Sequence, residues 1–238
     1  MGLLTGNDRL DSEVLIEHSE FHSNVSRQET LEHNIYIGRS ARFAMRSSYS
    51  HGSRRGHLVK SRARHNEIEY SRVVDGPEGG SSYLIDLPEG GTAVIIGNEM
   101  QQAPSTENLA MISFGSEGIR HAENEMTIAS NTIYNQAYGG ILLRNHSETT
   151  PIIVNNLMGG APTQIAEGNA EVRYNLVLAN HGLIDPRNSD FQLESNAPAI
   201  DSAVDGPVPL LEYVHPLKIR PRKAIWRMDV GAHERCGI

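Results

Sequence analysis

From His57 to Arg64 the chain reads His-Leu-Val-Lys-Ser-Arg-Ala-Arg, which puts an imidazole, an amine and two guanidiniums within eight residues. In an extended strand Lys60, Arg62 and Arg64 share one side. Groups of these types can hold a carboxylate and move a proton beside it. Arg62 and Arg64 can pair with the substrate carboxylate, since a guanidinium binds it in a fork. Lys60 can act as base if like charge from the neighbouring arginines disfavours its ammonium form. His57 is a rival base, already near neutrality. Tyr36 and Tyr83 are candidate proton donors, and Asp86 opposes the activation of Lys60. The residues leave the choice of base and donor open.

Charge concentrates in the same region. Arg39 to Arg72 holds nine Lys/Arg against Glu67 and Glu69, a local excess of +7, while the remaining 12 basic and 27 acidic residues give −15. A cationic patch on an acidic chain attracts anions; the bland alternative is a solvated surface. Six of the eleven histidines (His18, His22, His33, His51, His57 and His65) also lie in the first 65 residues. Nucleic acid would call for interleaved aromatics, and aromatics are only 5% of the chain. The expected ligand is therefore an anion and not nucleic acid.

These groups need a scaffold, and the sequence repeats one. A short apolar-rich run ending in Ser or Asn recurs at Ser19, Ser48, Ser71, Asn98, Asn131, Asn156 and Asn175, with spacings of 29, 23, 27, 33, 25 and 19 residues. Shorter strand signals fall between, as in Asn34–Ile37, His57–Lys60, Tyr83–Asp86, Met111–Phe114 and Gly140–Leu143. No interval carries helical periodicity. Strands at this spacing predict an all-β fold, a right-handed parallel β-helix of six or seven coils over residues 1–184. Asn and Ser at a fixed turn position bond the turn backbone from coil to coil. A hairpin-built sandwich is the rival, but Asp75-Gly76 and Asp205-Gly206 are the only clear hairpin dipeptides. Stacking is expected to set Asn34 and Tyr36 beside His57 and Val59, then Tyr83 and Ile85, then Met111 and Ser113. Lys60 would then lie about 5 Å from Asp86. Asn34, Arg62, Arg64, Ser113 and Glu107 are the expected substrate-binding groups.

The stretches Ala197-Pro198-Ala199-Ile200-Asp201 and Asp229-Val230-Gly231-Ala232-His233-Glu234 resemble the closing signature of bacterial β-helix proteins, with Ala197 in place of the usual Ser. The resemblance implies that residues 185–238 form an irregular cap over the last open coil. Val59-Lys60-Ser61 resembles the pectate-lyase-like superfamily, loosely its chondroitinase B and alginate lyase branch, in which such a Lys is the base. The same resemblance implies an Arg on the next coil, where this chain has Asp86. It also implies calcium, for which no clustered carboxylates stand out, and frequent export. The run from His33 to Pro88 is similar as well to bacterial β-helix proteins without assigned activity. Polygalacturonase-type chemistry is set aside: it uses an Asp pair and Gly-His-Gly, and Gly56-His57-Leu58 falls short.

Other classes drop out. Cys236 is the single cysteine, so neither a disulfide framework nor a Cys zinc site is possible. His18 and His22, four apart on a strand, stand about 13 Å from each other. No apolar run reaches the roughly 18 residues of a membrane span, so no membrane partner is expected. Met1–Asp8 has no basic or apolar signal-peptide region. Gly2–Phe21 reads as a running coil without a cap and predicts self-association there. Three function classes stand: a lyase or epimerase of acidic polysaccharide, a non-catalytic glycan-binding module, and a structural or assembly module.

Overall fold

The computed structural model describes residues 2–24, 32–179, 182–224 and 226–235; Cys236 lies outside them. The chain winds through three parallel sheets in turn, and each sheet collects seven strands. Each middle coil runs like the one made by Val59–Ser61, His65–Glu69 and Arg72–Val74, which contribute to the first, second and third sheets. This is the expected parallel β-helix.

Alternation along each short strand builds the core. Ile35, Val59, Ile85 and Ile112 are partners across the first sheet, and all point inward. Met45, Ile68, Ile95, Ile128 and Ile153 do the same in the second. Val73, Met100, Ile133 and Met158 complete the interior from the third. Stacked columns of this kind bury apolar area without needing a continuous hydrophobic run in sequence.

The repeated Ser and Asn close the turn between the second and third sheets. The residue before each of them (His18, Ser47, Tyr70, Gly97, Ser130, Asn155, Tyr174) takes a positive φ. This lets a two-residue corner form and aims the next side chain along the helix axis. The backbone N–H of Asn98 donates to Asn131 Oδ1 at 2.9 Å, that of Asn131 to Asn156 Oδ1 at 3.0 Å, and that of Asn156 to Asn175 Oδ1 at 3.0 Å. Asn98, Asn131 and Asn156 are fully buried, so the ladder also satisfies polar backbone that water cannot reach.

The first-sheet register is as expected at Val59–Ile85 and Lys60–Asp86, and differs by one residue for the strands on either side. Tyr36 pairs with Lys60, Lys60 with Asp86, and Asp86 with Ser113, while Val59 pairs with Ile35. Pairing Tyr36 with Val59 would turn one strand's apolar set out to solvent. Asn34 is corrected by the same shift. It points inward and donates to Ser50 Oγ at 3.1 Å and to the carbonyls of Phe21 and His51. It fills a polar spot of the core and touches no outer surface.

The closing segment forms two small antiparallel pairs, Leu183–Asp185 with Asp190–Leu193 and Leu211–Val214 with Lys218–Pro221. It runs along the outer face of the third sheet instead of across the last coil. Leu183, Phe191, Ala199 and Val230 pack on Val74, Tyr134 and Leu157. His18 Nδ1 donates to the Leu217 carbonyl at 2.8 Å near one end, and Asn155 Nδ2 to that of Val204 at 2.8 Å near the other. Gly231, with φ +102, sits where a Cβ would meet Thr132 Oγ1 at 2.7 Å, so the signature glycine is a close-approach point. His233 is buried between Glu99 (2.7 Å) and Glu212 (3.4 Å). Burial works against its charge, but hydrogen bonds to Glu212 and Glu99 outweigh it and push the imidazole up to about 9. The apolar outer patch of the third sheet gives the segment more to bury than the small end of a coil does.

Candidate functional site

The outward column Tyr36, Lys60, Asp86, Ser113 and Arg144 runs across five successive strands of the first sheet. Charged residues also follow these strands in the adjoining turn: Arg39, Arg62, Glu89 and Glu117. Strand and turn together form one cluster. Lys60 Nζ lies 3.1 Å from Asp86 Oδ2 and 3.0 Å from Glu117 Oε1. Arg62 donates to Tyr36 Oη at 2.8 Å, to Glu89 Oε1 at 2.8 Å and to Glu117 Oε1 at 2.9 Å. Arg39 forks onto Glu89 at 2.7 and 2.8 Å.

The histidines stack along a neighbouring column. His33 and His57 rings are 4.5 Å apart, and His57 and Tyr83 rings 5.1 Å. His33 Nδ1 accepts the backbone N–H of His57 at 2.9 Å, and His57 Nδ1 accepts that of Tyr83 at 3.2 Å. This bonding assigns the ring proton to Nε2, which in His57 lies 3.4 Å from Asp86 Oδ2. Burial, then the charge of Lys60, pushes His57 down to about 3. Burial followed by His57 and Lys60 does the same to His33. His57 is thus a neutral ring with both nitrogens engaged, which removes it as the free base.

The carboxylates part in the other sense. Burial raises Asp86, against the pull of Lys60. The Arg62 hydrogen bond, helped by Lys60 and opposed by burial, holds Glu117 down at about 2. The Asp86 side chain is 3% exposed and that of Glu117 is 44% exposed, so the first is fixed in the cluster and the second sits at its mouth. Lys60, set between two carboxylates, is an ion-pair partner in this arrangement.

Tyr36, His57, Lys60, Arg62, Tyr83, Asp86 and Ser113 come together as expected. Arg64 lies apart, exposed on the next turn, and Glu107 pairs with Arg55 at 3.1 Å on the opposite edge. The cationic patch is corrected too. Arg39, Arg42, Arg46, Arg55, Lys60, Arg62 and Arg72 all meet carboxylates, mostly from other coils. The local charge excess is neutralised across the stack. The donor set does not fit calcium either: Asp86, Glu89 and Glu117 are each held by Lys or Arg. Among the described residues no three His, Cys, Asp or Glu gather as a metal site.

Glu117, Glu89, His33, Arg39 and Arg144 were not among the expected site residues. A signal existed, since Arg39, Arg62, Glu89 and Glu117 fall one to three residues after successive first-sheet strands, the first two basic and the last two acidic. A second cleft, about 770 Å³, lies between the third sheet and the closing segment, lined by Tyr49, Arg72, Glu99, Phe191, Tyr213 and His215. Its Arg72 is committed to Glu99 and to the Ser189 carbonyl. No described helix is long and apolar enough to cross a membrane. No family model, curated protein or solved structure matches the chain.

Proposed function

We propose that the outer face of the first sheet takes an acidic, uronate-containing polysaccharide, as in the pectate-lyase-like superfamily that the sequence resembles. The observation that supports this most is the Lys60–Glu117–Arg62 bridge. Two cations converge on one half-exposed carboxylate, so a sugar carboxylate entering from solvent finds the same two partners once Glu117 swings away. Tyr36, Tyr83 and Arg144, partly exposed, extend that surface across neighbouring coils about 5 Å apart, a spacing suited to a chain of sugar rings, while Lys60, Asp86 and Ser113 lie buried beneath it.

In the catalytic form of this reading, Arg62 neutralises the substrate carboxylate. With the sugar carboxylate held by Arg62 alone and Glu117 displaced from Lys60, Lys60 passes a proton to Asp86, whose charged form burial disfavours. The freed amine removes the proton α to the carboxylate, and Tyr36 protonates the leaving oxygen as the C–O bond breaks and the double bond forms. Binding without turnover is the second reading. It is favoured by Asp86 standing where lyases carry Arg, and by the pairing of every charge in the cluster. Incubation with alginate, pectate and glycosaminoglycan chains tests both: calorimetry reads binding, and ultraviolet absorbance of unsaturated uronate reads elimination. Heat without absorbance selects the binding module; neither signal rejects the reading.

A further inference from the structure

Among the described residues, the far end of the solenoid keeps its core only half covered. In the last coil Val172 and Val177 are 45% and 43% exposed, yet their column partners one coil earlier, Ile153 and Met158, are 0% and 1% exposed. Ile165, Ala166 and Ala170 complete the same half-open layer of core. The strands Thr163–Glu167, Glu171–Arg173 and Leu176–Leu178 are the terminal members of their sheets, so each presents an unpaired backbone edge beside this apolar face. Unpaired edges next to core residues favour another chain as a cover.

We propose that this last coil is a self-association surface and that its occupant is a second copy of the chain, docked tail to tail. The argument rests on Glu171-Val172-Arg173. A two-fold axis through Val172 pairs this strand antiparallel with its copy, and the opposite charges then meet: Glu171 of each copy faces Arg173 of the other. Both side chains point to the outer face, where they now pair with each other at 2.7 Å and are about half exposed. Val172 faces Val172 in the shared core, and the first-sheet edge of each copy meets the third-sheet edge of the other. Such a contact is self-complementary and closes at two copies. The sequence placed an adhesive region at Gly2–Phe21, where Ile16 is buried while Leu3, Val14 and Phe21 are partly exposed; the self-complementary Glu171-Val172-Arg173 strand is what singles out the last coil.

Light scattering on the size-separated full chain tests this. The expected result is twice the chain mass, falling to one chain mass for Val172→Glu. Because that variant puts a charge in a core position, the exposed pair supplies a second test. Glu171→Arg and Arg173→Glu should each weaken the dimer at least tenfold, and the double variant should restore it. A monomeric wild-type chain overturns the proposal. So does an open-ended series of masses, the mark of head-to-tail stacking in which Arg173 would meet Glu17. Failure of the double variant to recover the dimer also overturns it.

Discussion

Glu117 Oε1 stands 3.0 Å from Lys60 Nζ, and the same carboxylate accepts from Arg62, so one turn residue occupies the junction of the cluster's two central cations. It lies between Gly115 and Gly118, both at positive φ, and its N–H donates to the Pro88 carbonyl at 2.9 Å. Replacing Glu117 by Gln should tighten oligouronate binding several-fold in calorimetry, since no internal anion then competes. Weaker binding would mean that Glu117 contacts the sugar itself.

The His33–His57 stack makes the fold acid-sensitive. Both rings are held down to about 3 against an ordinary 6.5, so an unfolded chain takes up protons that the folded one refuses. Their contribution is intact above pH 6.5 and is lost as pH falls toward 3. Denaturant midpoints across that range should fall, and fall less in His33→Gln/His57→Gln. An identical pH slope in wild type and variant counts against the assignment.

The closing segment should respond at the other end of the scale. His233, pushed up to about 9, stabilises the folded chain fully below pH 6.5, and that contribution fades as pH rises through 9. Hydrogen exchange around Phe191 and Val230 should accelerate above pH 9. His233→Leu should abolish that dependence, and an unchanged pH response in the variant would contradict the role.

Asn131 joins three coils. It accepts from Asn98 through Oδ1, and its Nδ2 donates to the Ile95 carbonyl at 2.9 Å and to Asn156 Oδ1 at 2.9 Å. Asn131→Ala leaves buried polar groups without partners at a cost of about 2–4 kcal/mol, readable by urea denaturation. A loss under about 0.5 kcal/mol, below the usual worth of one hydrogen bond, would show that the ladder is not stabilising.

What the sequence disclosed follows from what each element demands of residue type. The turn after a left-handed residue needs a short side chain that accepts a hydrogen bond, so Ser19 through Asn175 advertise every coil. The first-sheet register was less legible, because a one-residue slip changes no composition and only the inward choice of Ile35 over Tyr36 decides it. Charge was least legible. Arg62 and Glu89 are 27 residues apart in sequence yet touch, so a window that sees nine basic residues misses the acids one coil on. His57 reads in sequence as a rival base because nothing local reveals that the next coil's amide takes its Nδ1.

The account's central claim is that Lys60 and Arg62 receive a carboxylate-bearing sugar chain. Calorimetric titration of the full chain with oligouronates, beside neutral glucans and at two salt concentrations, tests it most directly when Arg62→Ala is run alongside. The predicted result is binding to the acidic chains alone, weakened by salt, and reduced by about tenfold to a hundredfold in the variant, the loss of ~1.5–3 kcal/mol for a charged hydrogen bond. Binding that ignores Arg62→Ala, or no heat with any acidic glycan, would contradict it.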